Sequence, residues 1–273
     1  TRYISVTGVQ TCALPILSRT SFGRNTTLSV SHLRKDFGAN GFYGAAPSHE
    51  WTNQTRVAVE QRLGRRGGWD VSGVASYRTH GDHFLFNVQR PGVSENFHRS
   101  HAVLATIKGS RAIGPSASVT VGGEAGGDWI RSTNLRDHAT NRVSAFGEWR
   151  QALGRRVQAD ASARIDRYDE FGTSASPSLG ISWWASDAVR VRASGGRAFR
   201  VPTFTERYYS DPANLAREEV GPETAWSGEG GADVFVGQSW LFQATLFRRN
   251  ERDVIDWLRA TPADRWRTYN VHR

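Results

Sequence analysis

The sequence predicts an all-β fold: an antiparallel up-and-down transmembrane β-barrel fragment. Three observations predict it. From residue 17 onward small apolar residues alternate with polar or charged ones at a period near two, and no helical period intervenes. The connections between the alternating runs are short and long in turn. The 10 tryptophans gather at the ends of the runs.

The predicted strands are 26–36, 51–63, 68–79, 97–109, 116–131, 140–153, 156–168, 175–185, 188–199, 223–236, 239–251 and 264–272. Val71, Gly73, Ala75 and Tyr77 share one face of the third run. Ala159, Ala161, Ala163 and Ile165 oppose Gln158, Asp160, Ser162, Arg164 and Asp166. Val189, Val191 and Ala193 oppose Arg190, Arg192 and Ser194. A small-residue apolar face suits lipid, which needs no interlocking packing, and a charged face suits a wet lumen. Alternation alone fits equally a soluble antiparallel sheet with one solvated face.

The connections separate these readings. Five are short: 64–67, 110–115, 154–155, 186–187 and 237–238. Six are long: 37–50, 80–96, 132–139, 169–174, 200–222 and 252–263. In an up-and-down meander, strict alternation collects all short turns at one end. That is the layout of an outer-membrane barrel with short periplasmic turns. Trp69, Trp149, Trp183, Trp184 and Trp240 lie beside short turns, and Trp51, Trp129, Trp226, Trp257 and Trp266 beside long connections. Indole is apolar with one polar N–H, so all ten are candidate membrane-interface residues in two girdles.

Composition closes other classes. Hydrophobic content of 38% is too high for a disordered chain. No run approaches the ~20 apolar residues of a spanning helix. One cysteine cannot build a disulfide framework or a thiolate zinc site. All but two of the 35 basic residues are Arg, and the net charge is +9. A basic nucleic-acid-binding sheet would interleave cations with aromatics on one face. Here the Arg are spread over all runs, so no nucleic-acid partner is expected. The chain has no Met and starts Thr1-Arg2-Tyr3, as expected of an interior or processed piece. Residues 6–16, VTGVQTCALPI, resemble a translated sequencing-library adapter. Residues 1–16 are therefore read as non-native and 17–273 as the barrel segment; a genuine short strand or linker is the alternative.

Gly196-Arg197-Ala198-Phe199-Arg200-Val201-Pro202-Thr203-Phe204-Thr205-Glu206-Arg207-Tyr208-Tyr209 resembles the strand-exit stretch of TonB-dependent outer-membrane receptors. Asp211-Pro212-Ala213-Asn214-Leu215 followed by Pro222-Glu223 is similar to a stretched form of the element that follows it. Asp36-Phe37-Gly38-Ala39-Asn40-Gly41-Phe42-Tyr43-Gly44 resembles a loop of the cobalamin-type members. Ala244-Thr245-Leu246-Phe247, Ile255-Asp256-Trp257 and Tyr269-Asn270-Val271 resemble a strand pair of the family. The resemblance implies about 12 of about 22 barrel strands, without the family's plug domain or TonB box. It implies a receptor importing a scarce large solute, cobalamin-like or siderophore-like, across the outer membrane of a Gram-negative-type bacterium. Its partners would be that solute, outer-membrane lipid and lipopolysaccharide, and a TonB-type energy-coupling protein engaged through the missing N-terminal part. A porin-type passive channel and a soluble nucleic-acid-binding sheet are the alternatives.

Local physics supports parts of this. Pro202 lacks an N–H and ends its strand. Thr203 and Glu206 have capping-box spacing. Gly195 and Gly196 admit close approach of another backbone. Phe42, Tyr43, Phe204, Tyr208 and Tyr209 are the candidate ligand-contacting residues, with loop packing as the alternative. His80-Gly81-Asp82-His83 carries ligand-type side chains, but three ligands in four residues rarely share one ion. The acids Asp166, Asp169 and Glu170, and Glu218, Glu219 and Glu223, read as hydrated loop acids or contributors to a calcium site. No metal or cofactor is expected. No nucleophile–base motif appears, so no enzyme activity is expected.

Overall fold

The computed structural model describes residues 12–40, 46–92 and 94–272. Twelve strands form one antiparallel sheet in chain order: β1 (Cys12–Phe22), β2 (Thr26–Gly38), β3 (His49–Arg66), β4 (Trp69–Leu85), β5 (Glu95–Ile113), β6 (Ala117–Ser132), β7 (His138–Leu153), β8 (Val157–Tyr168), β9 (Gly172–Trp184), β10 (Val189–Arg200), β12 (Glu223–Val236) and β13 (Trp240–Arg252). Between β10 and β12 stand α1 (Phe204–Tyr208) and β11 (Asn214–Leu215). β14 (Val254–Leu258) and β15 (Trp266–Val271) join β11 in a separate three-stranded sheet. The wall is the up-and-down meander of a β-barrel fragment.

The predicted strands are found, with three corrections. Strand 264–272 does not extend the wall. Its residues pair antiparallel with β14, from Val254 opposite Val271 to Leu258 opposite Arg267, and parallel with β11. The predicted long loop 252–263 contains β14, because Asp253 turns the chain back at φ 57°. The predicted long connection 169–174 shrinks to 169–171, as the ladder of β8 with β9 runs out to Tyr168 opposite Gly172. Hydrogen-bonded ladders continue through polar residues, which apolar periodicity does not register. The twelfth wall strand is β1, paired with β2 from Cys12 opposite Asp36 to Phe22 opposite Thr26. It begins inside the segment read as non-native. Pro15 is tolerated there because β1 is at the edge of the sheet among the described residues.

Connections 23–25, 67–68, 114–116, 154–156, 185–188 and 237–239 have two to four residues; alternating with them, 39–48, 86–94 and 201–222 are longer, 133–137 has five residues and 169–171 only three. Gly67 and Gly68 close the tightest turn at φ 57° and 84°, where a side chain would be strained. β5 runs for 19 residues, well beyond the ~10 that cross a bilayer, so wall strands project past it.

Contacts gather the chain into two compact units. The described parts of Thr1–Arg62, Val74–Ala105 and Gly126–Thr140 form one; Leu63–Gly73, Thr106–Ala125 and Asn141–Arg273 form the other. In the second unit burial is inverted relative to a soluble protein. Asp233 is fully buried and Asp166 is 3% exposed, whereas Leu179 is 66% and Leu246 84% exposed. Register explains this. Trp149, Ala161, Leu179 and their neighbours two residues along share one face of β7–β9, and Arg150, Asp160 and Gly180 the other. Apolar side chains outward and ions inward are what a bilayer selects.

Candidate functional site

At the long-connection end of the second unit, β10 stops at Arg200 and Pro202 withholds the next ladder donor. The chain then makes one helical turn, α1. Thr203 Oγ1 accepts from the Glu206 N–H at 3.2 Å, and the Glu206 carboxylate accepts from the Thr203 N–H at 2.8 Å. The capping box expected from the sequence is present.

Arg200 fastens this turn. Its guanidinium donates to Glu206 at 2.7 and 2.9 Å and to Glu223, the first residue of β12, at 2.7 and 2.9 Å. Glu223 also accepts the Ile255 N–H of β14 at 2.6 Å. One cation thus joins β10, α1, β12 and β14. The two carboxylates hold the Arg200 guanidinium well above its usual range, Glu206 first and then Glu223. Burial opposes ionisation of Glu206, but hydrogen bonds from Arg200 and Thr203 outweigh it and hold the group below the ordinary carboxylate value. Glu223 is held low by Arg200 first, against partial burial.

The rest of the rim is tied by long-range polar contacts. Arg265 donates to Ser210 Oγ at 2.9 Å and to the carbonyl oxygens of Asp211 and Asn214. The Asn270 amide bridges Gly221 N and O at 2.8 and 3.0 Å and the Asp253 carbonyl at 2.6 Å. Thr268, fully buried, accepts from the Arg217 N–H at 2.7 Å. Asp211 accepts from Asn214, the Tyr209 hydroxyl and the Ala213 N–H; these outweigh its burial and lower its pKa. Arg207 pairs with Glu170, and its guanidinium lies 5.0 Å from the Phe171 ring and 4.9 Å from the Tyr208 ring.

The structure brings Phe204, Tyr208 and Tyr209 together. Phe204 and Tyr208 stack at 6.5 Å, and Tyr209 meets Trp257 edge-on at 6.4 Å. Phe42 and Tyr43 lie outside the described residues. The acidic groups of the sequence are dispersed into pairs: Glu170 with Arg207, Glu219 with Arg217, Glu223 with Arg200, and Asp169 with Asn141. No group of three or more His, Cys, Asp or Glu among the described residues is arranged to hold a metal. Sequence reasoning missed Arg200, Arg265 and Asn270. The capping box offered a local signal for Glu206; contacts spanning 23 to 55 residues offered none.

Below the rim the charged face carries two networks. Arg164 bridges Glu124 at 2.7 Å and Asp166 at 2.8 Å, and Arg142 reaches Glu124 at 3.3 Å. Arg190 pairs with Asp233 at 2.7 Å. Near the short turns, Asp160, Ser182, Arg192 and Glu229 line a concavity of about 750 Å³. Gly196 allows close approach in this wall: a Cβ there would meet Ser178 Cβ at 2.9 Å.

Of the candidate interface aromatics, Trp149, Trp183, Trp226 and Trp240 are 42–67% exposed. Trp69 packs against Gly109. Trp184 turns to the charged face, where Arg190 lies 5.5 Å over its ring. Trp257 and Trp266 belong to the three-stranded sheet. Trp51 and Trp129 sit in aromatic stacks of the first unit.

Residues 15–273 match the family model described as TonB dependent receptor-like, beta-barrel. A stretch of 115 residues, 42% of this chain, is 31% identical to the vitamin B12 transporter BtuB of Vibrio vulnificus and covers 18% of it. The fold matches the crystal structure of the siderophore receptor PirA from Pseudomonas aeruginosa with a TM-score of 0.76 at 16% identity, over 95% of this chain and 50% of that one. It also matches the Serratia marcescens hemophore receptor HasR, solved with its hemophore HasA and heme, with a TM-score of 0.75 at 12% identity, over 95% and 49%. The chain spans about half the length of these solved relatives.

Proposed function

The chain belongs to the TonB-dependent receptor-like β-barrel family, and on that premise we propose that it is part of an outer-membrane receptor that captures a scarce large solute and imports it. The observation that carries a membrane site is the inverted burial of the wall. The observation that carries capture is the ordered rim cluster at the long-connection end. There Phe204 and Tyr208 offer a stacked aromatic surface, while Tyr209 is held by Asp211 and positions the turn. Phe42 and Tyr43 complete the proposed contact set.

The matched stretch of the vitamin B12 transporter favours a cobalamin-like solute; a siderophore-like solute is the next class. A TonB-type protein would supply the energy. Trp69, Trp149, Trp183, Trp226 and Trp240 are proposed to sit at the bilayer surfaces, where indole is most stable. Residues 1–16 are proposed to derive from adapter DNA, which the codons of the source contig test.

Uptake of labelled cyanocobalamin and of a labelled ferric catecholate by cells making the full-length receptor tests the reading. The expected result is saturable accumulation of one of them that stops when the proton-motive force is collapsed. Phe204→Ala with Tyr208→Ala should lower surface binding about tenfold, the loss of two stacking contacts. Non-saturable equilibration that ignores the proton-motive force would instead mark a passive channel.

A further inference from the structure

In the first unit, one face of the sheet changes character along its strands. Register places Leu28 opposite Val59, Val30 opposite Val57, His32 opposite Thr55, Arg34 opposite Asn53 and Asp36 opposite Trp51. Residues two apart share a face, so this face passes from aliphatic to polar and aromatic toward connection 39–48. Across it the rings form a continuous shelf. His49 meets Trp51 at 4.3 Å, Trp51 stacks on His83 at 4.7 Å, and His83 on Phe97 at 4.2 Å. A second row runs from Tyr77 through His101 to Trp129 at 5.9 and 5.0 Å.

The charges on this face do not balance. Its carboxylates are taken: Asp36 by His49 at 2.5 Å and Glu95 by His83 at 2.7 Å. Arg34 and Arg99 are exposed and have no ion-pair partner among the described residues. His32, Arg34, Trp51, Asn53 and His83 line a concavity of about 530 Å³. Gly81 leaves room for the Asn53 amide, which a Cβ would meet at 2.9 Å.

We propose that this concavity is a binding site for the phosphate headgroup of an acylated lipid in the surrounding outer leaflet. Arg34 donates to the phosphate and Asn53 to a neighbouring headgroup oxygen. Trp51 and His83 pack against the headgroup body, and the acyl chains follow Val30, Val57 and Val59. The site is an anion seat at the edge of an apolar wall, a combination that selects an amphiphile over a free anion. The inference rests on the membrane reading above.

The test uses the full-length receptor, delipidated in detergent, with native mass spectrometry counting bound lipid. Three probes are titrated: diphosphorylated lipid A, its dephosphorylated form, and inorganic phosphate. Retention of wild-type heat-modifiable gel mobility shows that each variant is folded. Diphosphorylated lipid A should bind, and Arg34→Gln should weaken it about tenfold, the loss of one charged hydrogen bond. Removing the lipid phosphates should weaken wild-type binding as much, and Arg34→Gln should then add nothing. Arg111→Gln, on the same face at the far end of β5, should leave affinity unchanged. Equal affinity of wild type for phosphorylated and dephosphorylated lipid would overturn the proposal, even if Arg34→Gln did not fold. So would inorganic phosphate competing at the concentrations at which lipid A binds, which marks a free-anion site. Loss of heat-modifiability in the wild type would instead overturn the membrane reading itself.

Discussion

From Val157 to Ile165 of β8 and from Ala175 to Ile181 of β9 every second residue is small or aliphatic and faces outward, so that Ile165 is 52% and Ile181 50% exposed. In the three-stranded sheet of β11, β14 and β15 no such period holds: Thr268 is fully buried and Trp266 is 37% exposed. The two regions solve the same problem, satisfying backbone groups, with different means. The wall does so through ladders between chain neighbours, and its side chains need only match solvent on each face. The rim does so through side chains that reach across the chain: Glu223 to the Ile255 N–H, Arg265 to the Asp211 carbonyl and Asn270 to the Gly221 carbonyl. A wall substitution should therefore be judged by its face, and a rim substitution by the partner it strands.

The sharpest break of this contrast is a pair of adjacent wall substitutions. Ile181→Arg puts a cation on the apolar face two residues from Trp183 and should cost about 1–3 kcal/mol of folding free energy, between the interfacial and midplane values. Ser182→Arg, one residue on, points into the concavity opposite Gln158 and Arg192, with Asp160 and Glu229 in the same lining, and should cost less, about 1 kcal/mol or under, from its Arg192 neighbour. Urea titration of the receptor folded into liposomes measures both. Equal costs would mean that the two faces see the same medium.

Arg164→Ala comes next. It leaves two carboxylates, Glu124 and Asp166, 12% and 5% exposed at their side chains, with Arg142 and Thr106 still on Glu124 and the Ser144 hydroxyl on Asp166. Since Arg164 is itself one-third exposed, the cost is set at about 2 kcal/mol, below that of a fully buried pair. The same titration should show it, with smaller loss for Arg164→Lys.

At the rim, Arg200→Ala should leave the wall's unfolding midpoint unchanged. Hydrogen exchange in 203–208 and at Ile255 should speed up about tenfold, the release of one charge-assisted tie. Acid should do the same reversibly. Glu206 and Glu223 are both held below the ordinary value of 4.5, so their contribution is complete above that pH and drains away as pH falls through their lowered values. Exchange in the rim that stayed slow at pH 3 would show that the ion cluster is not what orders it. Thr203→Ala has the smallest effect, about 0.5–1 kcal/mol confined to α1.

The wall was legible because its code is local. Val189, Val191 and Ala193 against Arg190, Arg192 and Ser194 name both faces of β10 without any tertiary knowledge. The capping box of Thr203 and Glu206 was legible for the same reason. Residues 264–272 mislead because Trp266, Thr268 and Asn270 alternate like a wall strand, while their partners, Asn214, Trp257 and Ile255, lie outside the wall. Strand β1 is not legible because Cys12–Phe22 shows no clean alternation and straddles the edge of the adapter-like segment, whereas pairing needs only a backbone.

By itself, then, the sequence determined the period, the places where the chain turns and hence the meander, because each of these is set by residues within a few positions of one another. It also placed Phe204, Tyr208 and Tyr209 at one strand exit. Only the tertiary structure decided that Arg200 binds Glu223, that β15 leaves the wall for the rim, and that Arg34, beside an aromatic shelf, has no ion-pair partner among the described residues. Those outcomes depend on which distant strands meet and in what register, and a period of two is the same for every partner a strand could take.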